Sequence, residues 1–153
     1  MPNTYTQIHI QAIFAVKFRA ALLGDSWRTE FHKYVSGIVN NQGHKMISIN
    51  SVSDHVHLVF GMRPAQALSD LMQDIKGDSS RWINLKRFVP VRFEWQQSFA
   101  AFSYSKDEIT KVVTYIENQQ QHHKKEKFLD EYRRMLTSSG IDFDERYIFK
   151  DLI

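Results

Sequence analysis

The amino-acid sequence predicts an α+β fold in which an antiparallel sheet carries helices. Residues 4–16 alternate apolar and polar side chains, a period of two that indicates a strand with one buried face. Residues 25–42 instead place apolar side chains on one helical stripe, with Asp25 or Ser26 as the expected cap and Gly43 as the stop. This change of period predicts that a strand is followed directly by a helix.

The rest of the chain continues the alternation of strands and helices. The expected elements are, in order, strands over residues 45–53 and 55–62, a helix over 68–83, a strand over 98–105 and a helix from Lys106. The tail over residues 128–153 is expected to form a short helix, a loop at Gly140 and a closing extended segment. With short, right-handed connections, this order predicts a ferredoxin-like (RRM-like) sheet whose first and third strands are central neighbours. Two of the helices would cover one face of that sheet.

Composition limits the classes of protein to consider. The chain has 153 residues, which suits a single domain over residues 1–153. No run of about eighteen apolar residues occurs, so we expect no membrane span. The N-terminus shows no secretory signal, which favours a cytoplasmic protein. The absence of cysteine excludes disulfides and cysteine-based zinc or redox sites. A net charge of +3 is compatible with a nucleic-acid partner but does not require one.

Two histidines stand two residues apart in the third predicted strand. Because side chains alternate across a strand, His55 and His57 share one face and the apolar residues around them share the other. The first strand should bring a polar row that includes Gln11 beside them. Two adjacent imidazoles supply half of a metal site, although a His-x-His pattern also arises by chance.

Tyr115 and Gln119 form a second constellation, on the third helix. They are four residues apart and share a helical face beside the apolar stripe, and we expect this helix on the histidine face of the sheet. A phenol with a pKa near 10 is a weak nucleophile, so it needs an electrophile that a metal ion has activated. Tyr115 as a packing residue at the edge of the stripe is the alternative interpretation.

These residues resemble a known family. The His55-Val56-His57 sequence resembles the His-hydrophobic-His motif of HUH endonucleases, and with Tyr115-Ile116-Glu117-Asn118-Gln119 it resembles the single-tyrosine HUH transposases. Residues 68–77, residues 93–96 and the His122-His123 pair extend this resemblance over nearly the whole chain.

The resemblance implies a nickase-ligase that cleaves and rejoins single-stranded DNA at hairpin-marked ends of a mobile element. Tyr115 corresponds to the nucleophile that forms a 5′-phosphotyrosine, and His55, His57 and Gln119 correspond to ligands of Mg²⁺ or Mn²⁺. A homodimer is implied, and no nucleotide cofactor is needed because the phosphotyrosine ester conserves the bond energy. His122 is a further candidate ligand, with a surface role as its alternative. A domesticated protein that binds hairpin DNA without efficient cleavage is the alternative function.

Basic side chains in the middle of the chain are candidates for hairpin binding, since phosphate contacts dominate DNA affinity. The predicted DNA-binding residues are Lys76, Arg81, Arg87 and Arg92. Lys124, Lys125 and Lys127 form a second basic group. Solvated helix faces are the alternative interpretation of both groups.

Three other functions fit the sequence less well. An RRM-type RNA-binding module would carry aromatic residues where His55 and His57 stand. A histidine phosphoesterase would need a third histidine in series or a second His-x-Thr/Ser repeat, and neither occurs. A structural metal site would leave Tyr115 without a role.

Overall fold

A computed structural model describes residues 4–20, 22–121 and 126–143 of the protein. Its sheet contains four strands, β1 (His9–Ala15), β2 (Lys45–Ser51), β3 (His55–Gly61) and β4 (Ala100–Tyr104). The strand order is β2-β3-β1-β4, and every neighbouring pair is antiparallel. The predicted ferredoxin-like order, with the first and third strands at the centre, is therefore confirmed. His122, Lys124, Lys125 and the closing segment over residues 144–153 lie outside the described residues.

The first strand is shorter than its alternating pattern predicted. Its ladder begins at His9, which pairs with Gly61 on one side and with Tyr104 on the other. Both partner strands end at those residues, so residues 4–8 have no ladder to join. One further hydrogen bond, from the Met62 amide to the Ile8 carbonyl at 2.7 Å, extends past the ladder.

Two helices cover one face of the sheet. Helix α1 (Arg28–Asn41) and helix α2 (Leu68–Lys86) pack on it through a core that includes Phe14, Phe60 and Ile75. Residues Asp25–Trp27 form a 3₁₀ turn, so the predicted caps Asp25 and Ser26 are wrong. Trp27 holds the cap position because its ring is buried against Phe31 and Phe88, which fixes where the chain enters the helix.

The opposite face of the sheet is also covered. Helix α3 (Ile109–Glu117), which follows a 3₁₀ turn at Lys106–Glu108, packs on β2 and β3 through Val112 and Ile116. Helix α4 (Phe128–Ser138) packs on β1 and β4. The core residues contributed by α4 are Phe128, Tyr132, Met135 and Leu136. The sheet is therefore a middle layer, with α1 and α2 on one side and α3 and α4 on the other.

The connection between α2 and β4 is fixed by side-chain hydrogen bonds. The Asn84 side chain accepts a bond from the Phe93 amide at 2.7 Å and donates to the Phe93 carbonyl at 3.0 Å. The Trp95 indole donates to Ser79 Oγ at 2.9 Å, and Trp95 also bridges to Val16 next to β1. Ser79 thus provides a buried acceptor within α2. None of the helices described is both long enough and apolar enough to cross a membrane.

Replacing Ser79 with alanine should destabilise the protein by about 1–3 kcal/mol, because the buried Trp95 N–H would lose its acceptor. The neighbouring Ser80 bonds only to the Gly77 carbonyl within its own helix. Ser80→Ala is the matched control and should change the free energy of unfolding by less than about 0.5 kcal/mol. Urea unfolding of both variants measures this difference, and equal effects would contradict the assigned role of Ser79.

Candidate active site

His55 and His57 lie side by side on the face of β3 that α3 and α4 cover. Their ring centroids are 5.2 Å apart, and each side chain is at most 1% exposed. The apolar residues between and beyond them point into the core under α1 and α2, as predicted. The His55 ring stacks on the ring of Phe128 in α4, with 3.9 Å between the ring centroids. The histidine pair is therefore buried between the sheet and the second helix layer, rather than open to solvent.

Each imidazole is held through its Nδ1 atom. His55 Nδ1 bonds to the Asp54 carboxylate at 2.7 Å, and Gln11 Nε2 lies 3.1 Å from His57 Nδ1. Gln11 also accepts a hydrogen bond from the Tyr104 hydroxyl at 3.1 Å. These contacts fix the ring orientations, so both Nε2 atoms are directed to the same point.

The Glu131 carboxylate occupies that point. Its Oε1 atom lies 3.5 Å from His55 Nε2 and 3.3 Å from His57 Nε2. Its Oε2 atom accepts hydrogen bonds from the Tyr115 hydroxyl and, at 3.3 Å, from the Gln119 amide. One carboxylate therefore joins the four residues that the sequence singled out for a metal and a nucleophile.

Sequence reasoning missed Glu131, although its pattern contains a signal. Helix α4 buries Phe128, Tyr132 and Met135, and Glu131 stands within that apolar stripe at 4% exposure. A carboxylate on the buried side of an amphipathic helix requires partners in the interior. The sequence shows an acidic residue within the apolar stripe of α4. It does not show the partners of this residue, because they come from β3 and α3, which are distant in sequence.

The charges of the cluster stabilise one another. Burial alone would raise the pKa of Glu131, but hydrogen bonds from His55 and His57 outweigh it and hold this pKa well below its usual range. Burial alone would lower the pKa of His55, but Asp54 and Glu131 outweigh it and raise this pKa. Burial and the Glu131 charge raise the pKa of Tyr115, so its hydroxyl is protonated at neutral pH.

Arg134, one turn beyond Glu131, contacts the tyrosine from the solvent side. Its Nη2 atom donates to the Tyr115 hydroxyl at 2.9 Å, and its guanidinium lies 5.7 Å from the centre of the tyrosine ring. Arg134 is held in turn by Glu126, with contacts of 2.9 and 3.2 Å. The Tyr115 hydroxyl thus lies between a buried carboxylate and an exposed cation.

Helix α3 is anchored to β2 at the turn that carries Tyr115. The Asn50 side chain donates to the carbonyls of Ile116, at 2.8 Å, and Glu117, at 3.2 Å. It also exchanges hydrogen bonds with the amide of Gln120. These bonds join the C-terminal end of α3 to β2, and they fix α3 relative to the strands.

Three of the four predicted DNA-binding residues lie in the helix layer opposite this cluster. Lys76, Arg81 and Arg87 belong to α2 or its C-cap, and α2 packs on the other face of the sheet. The Lys76 ammonium donates to the Ser98 carbonyl at 3.0 Å, and burial lowers its pKa to about 8. Arg81 pairs with Asp78, and Arg92 lies 3.7 Å from Glu94. Their role in DNA binding stays a prediction.

This arrangement occurs in a chain whose residues 4–119 match the family model of IS200-like transposases. The protein belongs to the IS200-like transposase family. It is 27% identical over 118 residues to the ISDra2 transposase TnpA of Deinococcus radiodurans, an alignment that covers 74% of this chain and 84% of that protein.

Two solved structures share the fold of this IS200-like transposase. A crystal structure of a Deinococcus radiodurans R1 protein assigned as a transposase has a TM-score of 0.61 and 23% identity, and the match covers 76% of this chain and 94% of that one. A REP-associated tyrosine transposase bound to a REP hairpin has a TM-score of 0.59 and 14% identity, with 79% and 72% coverage.

Replacing Asn50 with alanine should destabilise the transposase by about 1–3 kcal/mol, because the end of α3 would lose buried hydrogen bonds. Asn118→Ala is the matched control, since Asn118 is exposed at the same helix end, and it should cost less than about 0.5 kcal/mol. Denaturant unfolding tests both variants. Equal stability of Asn50→Ala and the wild type would show that β2 does not anchor α3 in this way.

Proposed function

We propose that this IS200-like transposase cleaves and rejoins single-stranded DNA at hairpin-marked ends, with Tyr115 as the covalent nucleophile. The observation that carries the proposal is the convergence of the Tyr115 hydroxyl and of the Nε2 atoms of His55 and His57 on the Glu131 carboxylate. A nucleophile and the donor atoms of a cation site are therefore held together on one buried group.

The donor set fits a divalent cation. His55, His57 and Glu131 offer ligand atoms that all lie within 4.8 Å of one another. Two imidazoles and a carboxylate suit a transition metal such as Mn²⁺ and can also serve Mg²⁺. Gln119, whose buried amide contacts the same carboxylate, supplies a further oxygen. When bound, the cation acts as a Lewis acid on the scissile phosphate.

The two oxygens of Glu131 face different partners and have different tasks. Oε1 faces the imidazoles and completes the cation site. Oε2 accepts the Tyr115 hydrogen bond and orients the phenol, whose proton passes to water as the Tyr115 oxygen attacks phosphorus, because the lowered pKa of Glu131 prevents the carboxylate from keeping it. The bond from phosphorus to the 3′ oxygen breaks, and this oxygen takes up a proton from water and leaves as a free 3′-hydroxyl. The strand stays on Tyr115 as a 5′-phosphotyrosine, and attack by a 3′-hydroxyl reverses the reaction and rejoins DNA.

Gln11 and Arg134 position the reacting groups. A cation on His57 Nε2 requires the proton on Nδ1, and rotation of the Gln11 amide then presents an oxygen to that N–H. Arg134 donates to the phenolic oxygen, which lowers the pKa of Tyr115 and opposes the effect of Glu131. The arginine thereby stabilises negative charge where the nucleophile forms.

Hairpin DNA is the proposed partner, because the likeness to a hairpin-bound REP-associated transposase supports it. We assign Lys76, Arg81, Arg87 and Arg92 to phosphate contacts with the hairpin, so that affinity falls with added salt. We also propose that the protein is a homodimer and that each chain forms a single catalytic domain.

The first test is a covalent adduct. Wild-type protein, Mn²⁺ and labelled single-stranded hairpins from the sequence that flanks the gene should give a DNA–protein band that survives denaturation. Tyr115→Phe should abolish this band, since a phenylalanine offers no nucleophile. Tyr34→Phe should keep it, because Tyr34 stacks on Trp82 in the other helix layer. Tight hairpin binding without an adduct would instead support a domesticated binding protein.

The second test measures Mn²⁺ binding directly, through the electron paramagnetic resonance signal of the free Mn²⁺ that remains in solution. His55→Ala, His57→Ala and Glu131→Ala should each weaken Mn²⁺ affinity at least about tenfold. His32→Ala is the control, because His32 bonds to Ser51 and lies outside the cluster. EDTA should also abolish the adduct. Unchanged Mn²⁺ affinity in the three site variants would remove the cation site from the proposal.

A further inference from the structure

A cavity of about 240 Å³ lies between α3, α4 and the end of β4, next to Tyr115. Its lining includes Gln11, Tyr104, Lys111, Tyr115 and Arg134. We call it the α3–α4 pocket. The proposed reaction uses the tyrosine at its edge but gives the remaining space no task.

The floor of the α3–α4 pocket is coupled to the histidine cluster. Gln11, only 1% exposed, accepts a hydrogen bond from Tyr104 and contacts the His57 ring. A group that fills the pocket therefore lies directly against the residues that orient His57.

Two positively charged side chains lie at the mouth of the pocket. Lys111 and Arg134 are exposed there, and Lys111 is one helical turn before Tyr115 on the same face of α3. Glu108 also lines the pocket, but its carboxylate accepts hydrogen bonds from the Ser105 amide and hydroxyl at the start of the helix. Within the part of the chain that the structure describes, Lys111 forms no ion pair.

We propose that the α3–α4 pocket binds one unpaired nucleotide that adjoins the scissile phosphate of single-stranded DNA. The inference deepens the proposed function and rests on it. Lys111 and Arg134 contact the phosphate of this nucleotide, and the base enters between Tyr104 and the apolar side chains of Val112 and Met135.

The size and walls of the pocket favour an unpaired base over a base pair. Sites that enclose drug-sized ligands have volumes of roughly 300 to 1,000 Å³, and this pocket is smaller. An aromatic ring beside apolar walls is the surface on which unpaired bases stack, with little dependence on sequence. Arg134 links the two sites, because it contacts the Tyr115 hydroxyl and stands at the pocket mouth.

Equilibrium binding in EDTA tests the phosphate contact without cleavage. The probe is a fluorescein-labelled, mixed-sequence single strand, compared with the same strand annealed to its complement. Lys111→Ala should weaken single-strand binding about three- to tenfold and reduce the salt slope by about 0.7, the change expected for one lost phosphate contact. Duplex binding should not change.

Lys106→Ala is the matched control, because it removes the same charge from the preceding turn, outside the pocket lining. It should leave single-strand affinity within about twofold of the wild type. Equal losses in the two lysine variants, or an equal loss for duplex DNA, would overturn the proposal.

Photocrosslinking tests the position of the base. A single strand that carries 5-iododeoxyuridine should crosslink to Tyr104, as mapped by mass spectrometry, and Tyr104→Leu should remove this crosslink while thermal unfolding confirms the fold. Crosslinks confined to other parts of the protein would overturn the base site. Neither experiment needs cleavage. If single-stranded DNA binds in the pocket but no Tyr115 adduct forms, the proposed cleavage function would be refuted while nucleotide binding in the pocket would stand.

Discussion

The arrangement around the histidines depends on one buried carboxylate. Glu131 on α4 contacts His55 and His57 on β3 and Tyr115 on α3, so a single side chain joins three elements. An ionised group costs several kcal/mol to bury unless charges and hydrogen bonds compensate. Here the imidazoles, the phenol and the Gln119 amide compensate together. Because the imidazoles and the Gln119 amide are buried and Tyr115 is half-buried, removing any one of them would take a compensating contact from the Glu131 carboxylate.

This mutual dependence explains why the sheet needs a second helix layer. Helices α1 and α2 already bury one face of β1 and β3, as in a simple two-layer fold. The other face combines apolar residues such as Val59 with the two histidines, and it is covered only when α3 and α4 meet over it. Asn50 fixes α3 on β2, and the Phe128 ring fixes α4 on His55. Packing and polar contacts therefore specify the same position for both helices.

Local periodicity predicted what lies within a single element. It placed His55 and His57 on one face, because this relation follows from strand geometry alone. It was wrong to place Gln119 on the helix of Tyr115, because α3 ends at Glu117 and Gln119 follows the cap residue Asn118, although the Gln119 side chain still contacts Glu131. It could not predict Glu131, whose partners are distant in sequence and are chosen by tertiary packing. Nor could it show that Lys76 and Arg81 lie behind the sheet, since the apolar stripe of α2 fixes that helix to the opposite face.

The surroundings of Tyr115 indicate the side from which DNA would approach in the proposed reaction. The histidines are fully buried, whereas the tyrosine is partly exposed and lines the α3–α4 pocket, where Arg134 contacts its hydroxyl. In the proposed reaction, a DNA phosphate bound there would meet the Arg134 guanidinium first and would be repelled by the Glu131 carboxylate, which accepts a hydrogen bond from the same hydroxyl. A divalent cation on the imidazoles would offset this repulsion. In the proposed reaction the phosphate would therefore need two positive charges, that of a cation held by the imidazoles and that of Arg134.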